Sequence, residues 1–296
     1  MLTKLDEAKT DLIARAVEAA EKGPDAIHDD DLGAFLTRYY RHVAAEDLLG
    51  RDASDVLGAA LSHRRLAAER PVGSARVRVF TPSVEDHGWM SAHTVVEVVT
   101  DDMPFLVDSV AAVLHHANLN VHLVVHPQFS VERSLAGLLE RIELDDGAAE
   151  PESGIVPEAW MHFEVDRLSD PAQLHALEES LLESLRDVRE VVEDWEKMRE
   201  AALRVADSLV SLPPPLPEAE VADAWELLRW LVDDHFTFLG YREYTLESRD
   251  GEDVLATVPG SGLGLLRTDR TESVSFNKLP PEVRALAREK KLLVLT

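Results

Sequence analysis

Two adjacent carboxylates, Asp101 and Asp102, are followed by Met103-Pro104-Phe105 and then by Asp108-Ser109. The residues before them, His93 to Thr100, alternate and are β-branched, which predicts a strand. The residues after them place Leu106, Val110, Val113 and Leu114 at helical spacing. Acids between a strand end and a helix start can cap backbone N–H groups or orient the amino group of a small ligand. A helix N-terminus clear of a blocking acid could instead receive a ligand's carboxylate. Capping without a ligand is the simpler use of the same residues.

Histidines form the next candidate group: His115, His116, His122 and His126, with His93 near in sequence. On a strand, His122 and His126 would share a face, and a third histidine could complete a metal site. The helical metalloprotease spacing is missing, so unconnected histidines are the simpler reading. Gly260-Ser261-Gly262-Leu263-Gly264 lacks the glycine spacing and following helix of a dinucleotide loop, and reads as a turn. There is no phosphate loop of the GxxxxGK type and no serine-nucleophile elbow. Acid pairs such as Glu178-Glu179 and Glu193-Asp194 are expected on solvated helix faces. Trp89, Trp160, Trp195, Trp225 and Trp230 are expected in cores or interfaces. No catalytic, cofactor-binding or metal-binding residues are assigned.

Composition narrows the partners. Acids outnumber bases 56 to 30, for a net charge of −26, which argues against nucleic acid or an anionic membrane. Cysteine is absent, excluding disulfides and thiolate chemistry. No apolar run approaches the roughly 20 residues of a membrane span, and Met1 to Glu7 lacks a signal peptide's pattern. The expected compartment is the cytoplasm.

The elements that must position these residues form several blocks. Residues 1–72 read as a helical subdomain, with Gly23-Pro24 and Pro71-Val72-Gly73 as breaks. Residues 73–193 read as strand, helix, strand, strand, helix, strand. The first strand is His93 to Thr100, and the later ones run from Val121 to Glu132, Trp160 to Val165 and Val188 to Val192. Extended residues near Val77 and Val79 precede them, and a weaker segment spans Leu138 to Leu144. That βαββαβ order is the split-βαβ, ferredoxin-like arrangement. Asp145-Asp146-Gly147, with the residues up to Pro157, marks a hairpin or a mobile loop, and Ser169-Asp170-Pro171 opens the second helix with a cap and a first-turn proline.

Residues 194–218 read as a helix and a stiff proline linker, Leu212-Pro213-Pro214-Pro215-Leu216-Pro217. Residues 219–296 begin a second α+β domain. Its expected elements are a tryptophan-bearing helix, a strand from Phe236 to Leu246, a hairpin turn at Asp250-Gly251, a strand at Gly262 to Arg267, a helix at Pro281 to Glu289 and a strand at Leu292 to Leu295. Ending on an apolar strand, the chain reads as a fragment of a longer protein. The fold class is α+β.

Two segments resemble the N-terminal region of the large bacterial NAD-specific glutamate dehydrogenases. They are His93-Thr94-Val95-Val96-Glu97-Val98-Val99-Thr100-Asp101-Asp102-Met103-Pro104-Phe105-Leu106-Val107-Asp108-Ser109 and His235-Phe236-Thr237-Phe238-Leu239-Gly240-Tyr241-Arg242-Glu243-Tyr244. The resemblance implies a regulatory segment with an ACT-like domain, a PAS-like domain starting after the prolines, and helical linkers. It implies a parent enzyme converting L-glutamate and NAD to 2-oxoglutarate and ammonium, with NAD held in a downstream catalytic domain and none bound here. Partners would be that catalytic domain, other subunits of a homo-oligomer and an amino-acid effector. Asp101, Asp102, Met103, Pro104, Phe105, Asp108 and Ser109 would be the effector or interface residues. Phe105 stands where the ACT pattern has glycine, at the point where an effector would need room. The alternative is a structural assembly module with no ligand.

Overall fold

A computed structural model describes residues 4–22, 30–144, 154–211, 214, 216–249, 251–268 and 271–285. The chain divides into two compact units, 1–186 and 187–296. The expected strand Leu292 to Leu295, the stop at Gly23-Pro24 and the loop at Asp145-Asp146-Gly147 lie outside the described residues.

The first unit opens with helices α1 (Lys4–Lys22), α2 (Leu32–Tyr39), α3 (Ala45–Leu49) and α4 (Ala53–Ala67). The apolar positions expected in α1 and α2 are the buried ones: Leu12, Ile13, Ala16 and Ala20, then Leu32, Phe35, Leu36 and Tyr39. Lys9 ties the two helices together, donating to the Tyr40 and Val43 carbonyls at 2.6 Å each, beyond the end of α2.

Strand β1 (Arg76–Phe80), a short α5 (Val84–His87), β2 (Thr94–Asp101), α6 (Leu106–His116), β3 (Val121–Val125), β4 (Gln128–Arg133), β5 (Leu139–Glu143) and β6 (Ile155–Val165) follow. They form one antiparallel sheet in the order β1-β2-β6-β4-β5, with β3 also on β6. β6 is central: β2 pairs along one side, while β3 and then β4 share the other. Because β2 and β3 both run antiparallel to β6, they are parallel to each other. The β2-α6-β3 unit is therefore a crossover with one strand between, the split-βαβ that the sequence predicts.

Two expected strands are corrected. The run Val121 to Glu132 is two strands, β3 and β4, parted at His126-Pro127 and both antiparallel to β6. Val188 to Val192 lies inside a continuous 41-residue helix, α7 (Pro171–Ser211). Nothing in that stretch breaks a helix, and Val188 and Val191 are buried at helical spacing. The place of a fourth strand beside β2 is taken from upstream by β1, in register from Arg76↔Val99 to Phe80↔Val95. α7 opens as predicted: Pro171 is in its first turn and Asp170 accepts from the Ala172 N–H at 2.9 Å.

Both faces of this sheet are covered. Along β6, Ala159, Met161, Phe163 and Val165 alternate with Glu158, Trp160, His162 and Glu164, and all are buried. The second set faces the N-terminal helices, where Trp160, Phe129, Val131 and Leu123 pack with Phe35, Leu36 and Ala60. Phe35 stacks on Phe129 at 5.7 Å, and Trp160 meets Phe129 edge-on at 4.8 Å.

The second unit contains the end of α7, then α8 (Glu218–Trp230), a π-turn at Leu231–His235, β7 (Gly240–Tyr241), β8 (Tyr244–Arg249), β9 (Glu252–Thr257), β10 (Leu263–Gly264), α9 (Val274–Asn277) and α10 (Pro281–Ala285). β8 and β9 form the expected hairpin, in register from Tyr244↔Thr257 to Arg249↔Glu252, with Gly251 at φ 81°. The strands expected over Phe236–Leu246 and Gly262–Arg267 are shorter, with β7 and β10 pairing over two residues each.

Candidate functional site

β2 ends at Asp101, opposite Glu158 on β6. Like charges directly across a strand pair repel, and burial amplifies the repulsion. Arg70 resolves it. Its Nη2 lies 2.7 Å from Asp101 Oδ1 and 2.5 Å from Glu158 Oε1, with the side chain fully buried. A second cation completes the cluster: Arg133 Nε and Nη2 donate to the two Glu158 oxygens at 2.5 and 2.9 Å. Trp160 Nε1 also donates to Glu158 Oε2, at 3.0 Å. The other Asp101 oxygen accepts the Gly73 N–H at 3.0 Å. Asp101 thus fastens the segment after α4 to the sheet.

Asp102 is used locally as well. Its N–H donates to the Pro157 carbonyl and its Oδ2 accepts from Gln128 Nε2, both at 3.0 Å. Met103 is half-buried, while Pro104, Phe105 and Asp108 are exposed. Asp108 lies in the first turn of α6, where the helix dipole favours an acid, and the Ser109 N–H donates to the Phe105 carbonyl at 3.0 Å. Phe105 is the N-cap of α6 and sits at φ 71°, ψ 1°, the left-handed region that favours glycine. The loop therefore keeps a glycine-type backbone while carrying a ring, 47% exposed, at the helix start.

Two further buried carboxylates lie on the helix-covered face. Glu164 takes a fork from Arg51, at 2.5 and 2.9 Å, and the Ser91 hydroxyl at 3.1 Å. Burial alone would raise its pKa, but His162 and Arg51 outweigh that and hold it well below the ordinary carboxylate range. Glu97 pairs with Arg78 Nη2 at 2.6 Å. His63, on α4, bridges Tyr39 Oη at 2.9 Å and the Val98 carbonyl at 3.1 Å. Burial, then repulsion from His162, pushes His63 down to about 3.

These residues were not singled out from the sequence. The alternation of Glu158, Trp160, His162 and Glu164 with apolar residues was the available signal, but alternation in an antiparallel strand ordinarily means one face in water. Here helices cover that face.

The histidines do not converge. His115 and His116 end α6, and His116 Nδ1 is 2.7 Å from the Ala112 carbonyl. His122 stacks on His93 at 4.1 Å and reaches Asp166 Oδ1 at 2.7 Å. Among the described residues, no three His, Cys, Asp or Glu side chains meet as a metal would require.

In the second unit, one expectation is corrected: Asp194 is buried rather than solvated. Its Oδ2 accepts from the Gly264 N–H at 3.0 Å and from Arg267 Nη2 at 2.8 Å, and its Oδ1 from Lys197 at 2.8 Å. Burial works against its ionisation, but Lys197, Gly264 and Arg267 outweigh it and hold the pKa at about 2. The glycine turn does hold a carboxylate, and it is the chain's own. Gly264 is required there: it has φ 56°, and an added Cβ would meet the Leu239 carbonyl at 2.5 Å. Of the tryptophans, Trp89 and Trp160 are core, whereas Trp195 and Trp230 are largely exposed.

The family model described as the glutamate dehydrogenase ACT1 domain matches residues 35–181, from within α2 to within α7. The chain belongs to the glutamate dehydrogenase family and carries its ACT1 domain. It is 37% identical over 269 residues to the NAD-specific glutamate dehydrogenase of Halomonas elongata, covering 90% of this chain and 16% of that protein. The Pseudomonas aeruginosa enzyme of the same name is 35% identical over 233 residues, covering 79% of this chain and 14% of the relative. That of Mycobacterium tuberculosis is 32% identical over 207 residues, covering 70% and 12%. The chain thus spans at most about a sixth of the length of the curated relatives it matches. The ACT1 match includes α4 and β6, so the buried ion pairs of Arg70, Arg133 and Glu158 lie inside the domain. No helix among its described residues is long and apolar enough to cross a membrane.

Proposed function

We propose that this chain is a non-catalytic regulatory and assembly segment of an NAD-dependent glutamate dehydrogenase. The parent enzyme would oxidise L-glutamate with NAD to 2-oxoglutarate and ammonium, in the cytoplasm, with NAD bound in its catalytic domain. The observation that carries this reading is where the buried charge goes. Among the described residues of the ACT1 domain, every carboxylate with 0% exposure (Glu97, Glu158 and Glu164) is matched by an arginine, through Arg78, by Arg70 and Arg133, and by Arg51. Carboxylates neutralised this way tie neighbouring strands to each other and to the segments on either side of α4, and are not poised as acid or base.

The coupling would run through surfaces. An effector or a neighbouring subunit that binds one arrangement of the modules better shifts the enzyme toward it. Residues 219–296 fit the start of a second, PAS-like α+β domain in that assembly. Asp102, Met103, Pro104, Phe105, Asp108 and Ser109 present an interface at the start of α6, while Asp101 anchors the loop. The second reading, an assembly module that binds no ligand, draws on Phe105, whose ring occupies the helix start where an effector would approach.

The purified chain, supplied with L-glutamate and NAD, is expected to form no NADH. Glutamate-dependent NADH formation by these 296 residues would overturn the non-catalytic reading.

A further inference from the structure

Two helices of the second unit carry matching pentads. Trp195 to Arg199 on α7 reads Trp-Glu-Lys-Met-Arg, and Trp225 to Arg229 on α8 reads Trp-Glu-Leu-Leu-Arg. Residues four apart share a helix face, and each guanidinium lies 5.1 Å from the ring centre of its own tryptophan. Arg199 is held further, with Nε and Nη2 donating to the Val232 carbonyl at 3.2 and 3.0 Å. These contacts fix the planes of donors that would otherwise sample many rotamers, which lowers the cost of binding.

Both arginines line one hollow of about 470 Å³, together with Leu203, Trp230, Val232 and Asp233. Trp230 is stacked on His235 at 4.5 Å and remains 52% exposed. Asp233 and Asp234 lie where the helix breaks, at non-helical dihedrals. Asp234 lies 4.0 Å from Arg199, at the limit of an ion pair. The hollow itself therefore presents two guanidiniums, one carboxylate and an apolar wall, on a chain whose net charge is −26. With Asp234 at its edge offsetting part of that charge, what the recess offers an anion is two held guanidinium donors on an otherwise acidic surface.

We infer that this hollow binds an acidic α-amino acid. The ligand that complements two guanidiniums and one carboxylate has two carboxylates and one ammonium. Arg199 and Arg229 would each take a carboxylate as forked donors. Asp233 would take the ammonium, and Leu203 with Trp230 would cover the methylene chain. The inference gives the regulatory reading a ligand class and rests on that reading only for what binding accomplishes.

Calorimetry on the intact chain tests the charges one at a time. L-Glutamate or L-aspartate is expected to bind. Succinate lacks the ammonium and L-leucine lacks the second carboxylate, so each is expected to bind at least about tenfold more weakly. Arg229→Gln, at an exposed position, is expected to weaken L-glutamate binding about tenfold or more while leaving the circular dichroism spectrum unchanged. Asp233→Asn is expected to erase the preference for L-glutamate over succinate. No heat from either acidic amino acid, equal binding of leucine or succinate, or unchanged affinity in Arg229→Gln would each overturn the inference. NADH formation by the chain would sink the non-catalytic reading instead and leave this binding result standing.

Discussion

Charged side chains are treated differently in residues 1–186 and 187–296. In the first unit, Arg70, Glu97, Glu158 and Glu164 are wholly removed from water, and their partners come from other elements. In the second, Arg249 pairs with Glu247 and Glu272 at the surface, and the buried Asp194 is met by Arg267 and Lys197, which reach solvent. The apolar residues follow the same division. α2 buries Leu32, Phe35, Leu36 and Tyr39, whereas α8 buries none of its 13 residues and leaves Leu227 and Trp230 exposed. The ACT1 unit is finished on both faces of its sheet. The other unit keeps apolar and cationic surface available for a partner or ligand.

The largest test of that contrast removes a cation from each region. Arg70→Met leaves Asp101 and Glu158 facing each other across β2 and β6. Losing one member of a buried pair costs roughly 3–5 kcal/mol, and because Arg133 still holds Glu158, about 3 kcal/mol is expected. Urea unfolding followed by circular dichroism measures it. Asp194→Ala leaves the buried Gly264 N–H without its acceptor but otherwise strands cations that water can reach, so about 1–2 kcal/mol is expected there. Arg249→Met should leave the urea midpoint where it is, as for an ordinary surface pair. Equal losses for Arg70→Met and Arg249→Met would erase the distinction between the regions.

Acid should separate the regions by where each begins to lose stability. His63 is held at about 3 by burial and by repulsion from His162, against an ordinary 6.5. The unfolded chain takes up that proton first, so the first unit loses stability as pH falls from 6.5 toward about 3. Asp194 is held at about 2 against 3.8, because its three donors outweigh burial. Its contribution is intact above 3.8 and is lost as pH falls through about 2. Urea midpoints measured from pH 7 to pH 4 should therefore fall in the wild type and fall less in His63→Gln. The amide of that variant can still meet Tyr39 and the Val98 carbonyl. An unchanged pH slope in His63→Gln would place the acid sensitivity elsewhere.

The ACT1 unit was largely legible because period and punctuation agree there. β2 alternates, Pro104 precedes α6, and Asp170-Pro171 opens α7 with a cap. Two things were hidden. Val188 to Val192 is β-branched in composition, but it extends a helix whose buried stripe it fits, and tertiary packing overrode local preference. The edge that it left open is closed by β1, and no local rule shows that an earlier segment will fill a later strand's place. The carboxylates at 158 and 164 alternate like a wet face, and only the cover of α1, α2 and α4 makes them core. In the second unit, Glu193-Asp194 reads as a solvated pair because only Lys197 among the donors to Asp194 is local, while Gly264 and Arg267 lie about 70 residues away.

The smallest expected effect sharpens the comparison most, because it falls on a bulky residue held at positive φ; Asn118, the other such non-glycine among the described residues of the finished unit, is of a type that tolerates that region. Phe105 holds φ 71° without being glycine, and a left-handed residue with a side chain costs roughly 1–2 kcal/mol. Glycine removes that cost but loses about 0.5–1 kcal/mol more entropy on folding, so Phe105→Gly should stabilise the chain by up to about 1 kcal/mol. The ring contributes little against this, being 47% exposed at the start of α6. If Phe105→Gly instead destabilises the chain in urea, the ring is a packing residue and its exposure has no functional meaning. If it stabilises the chain while weakening assembly in sedimentation, the α6 start is an interface whose contact residue is Phe105.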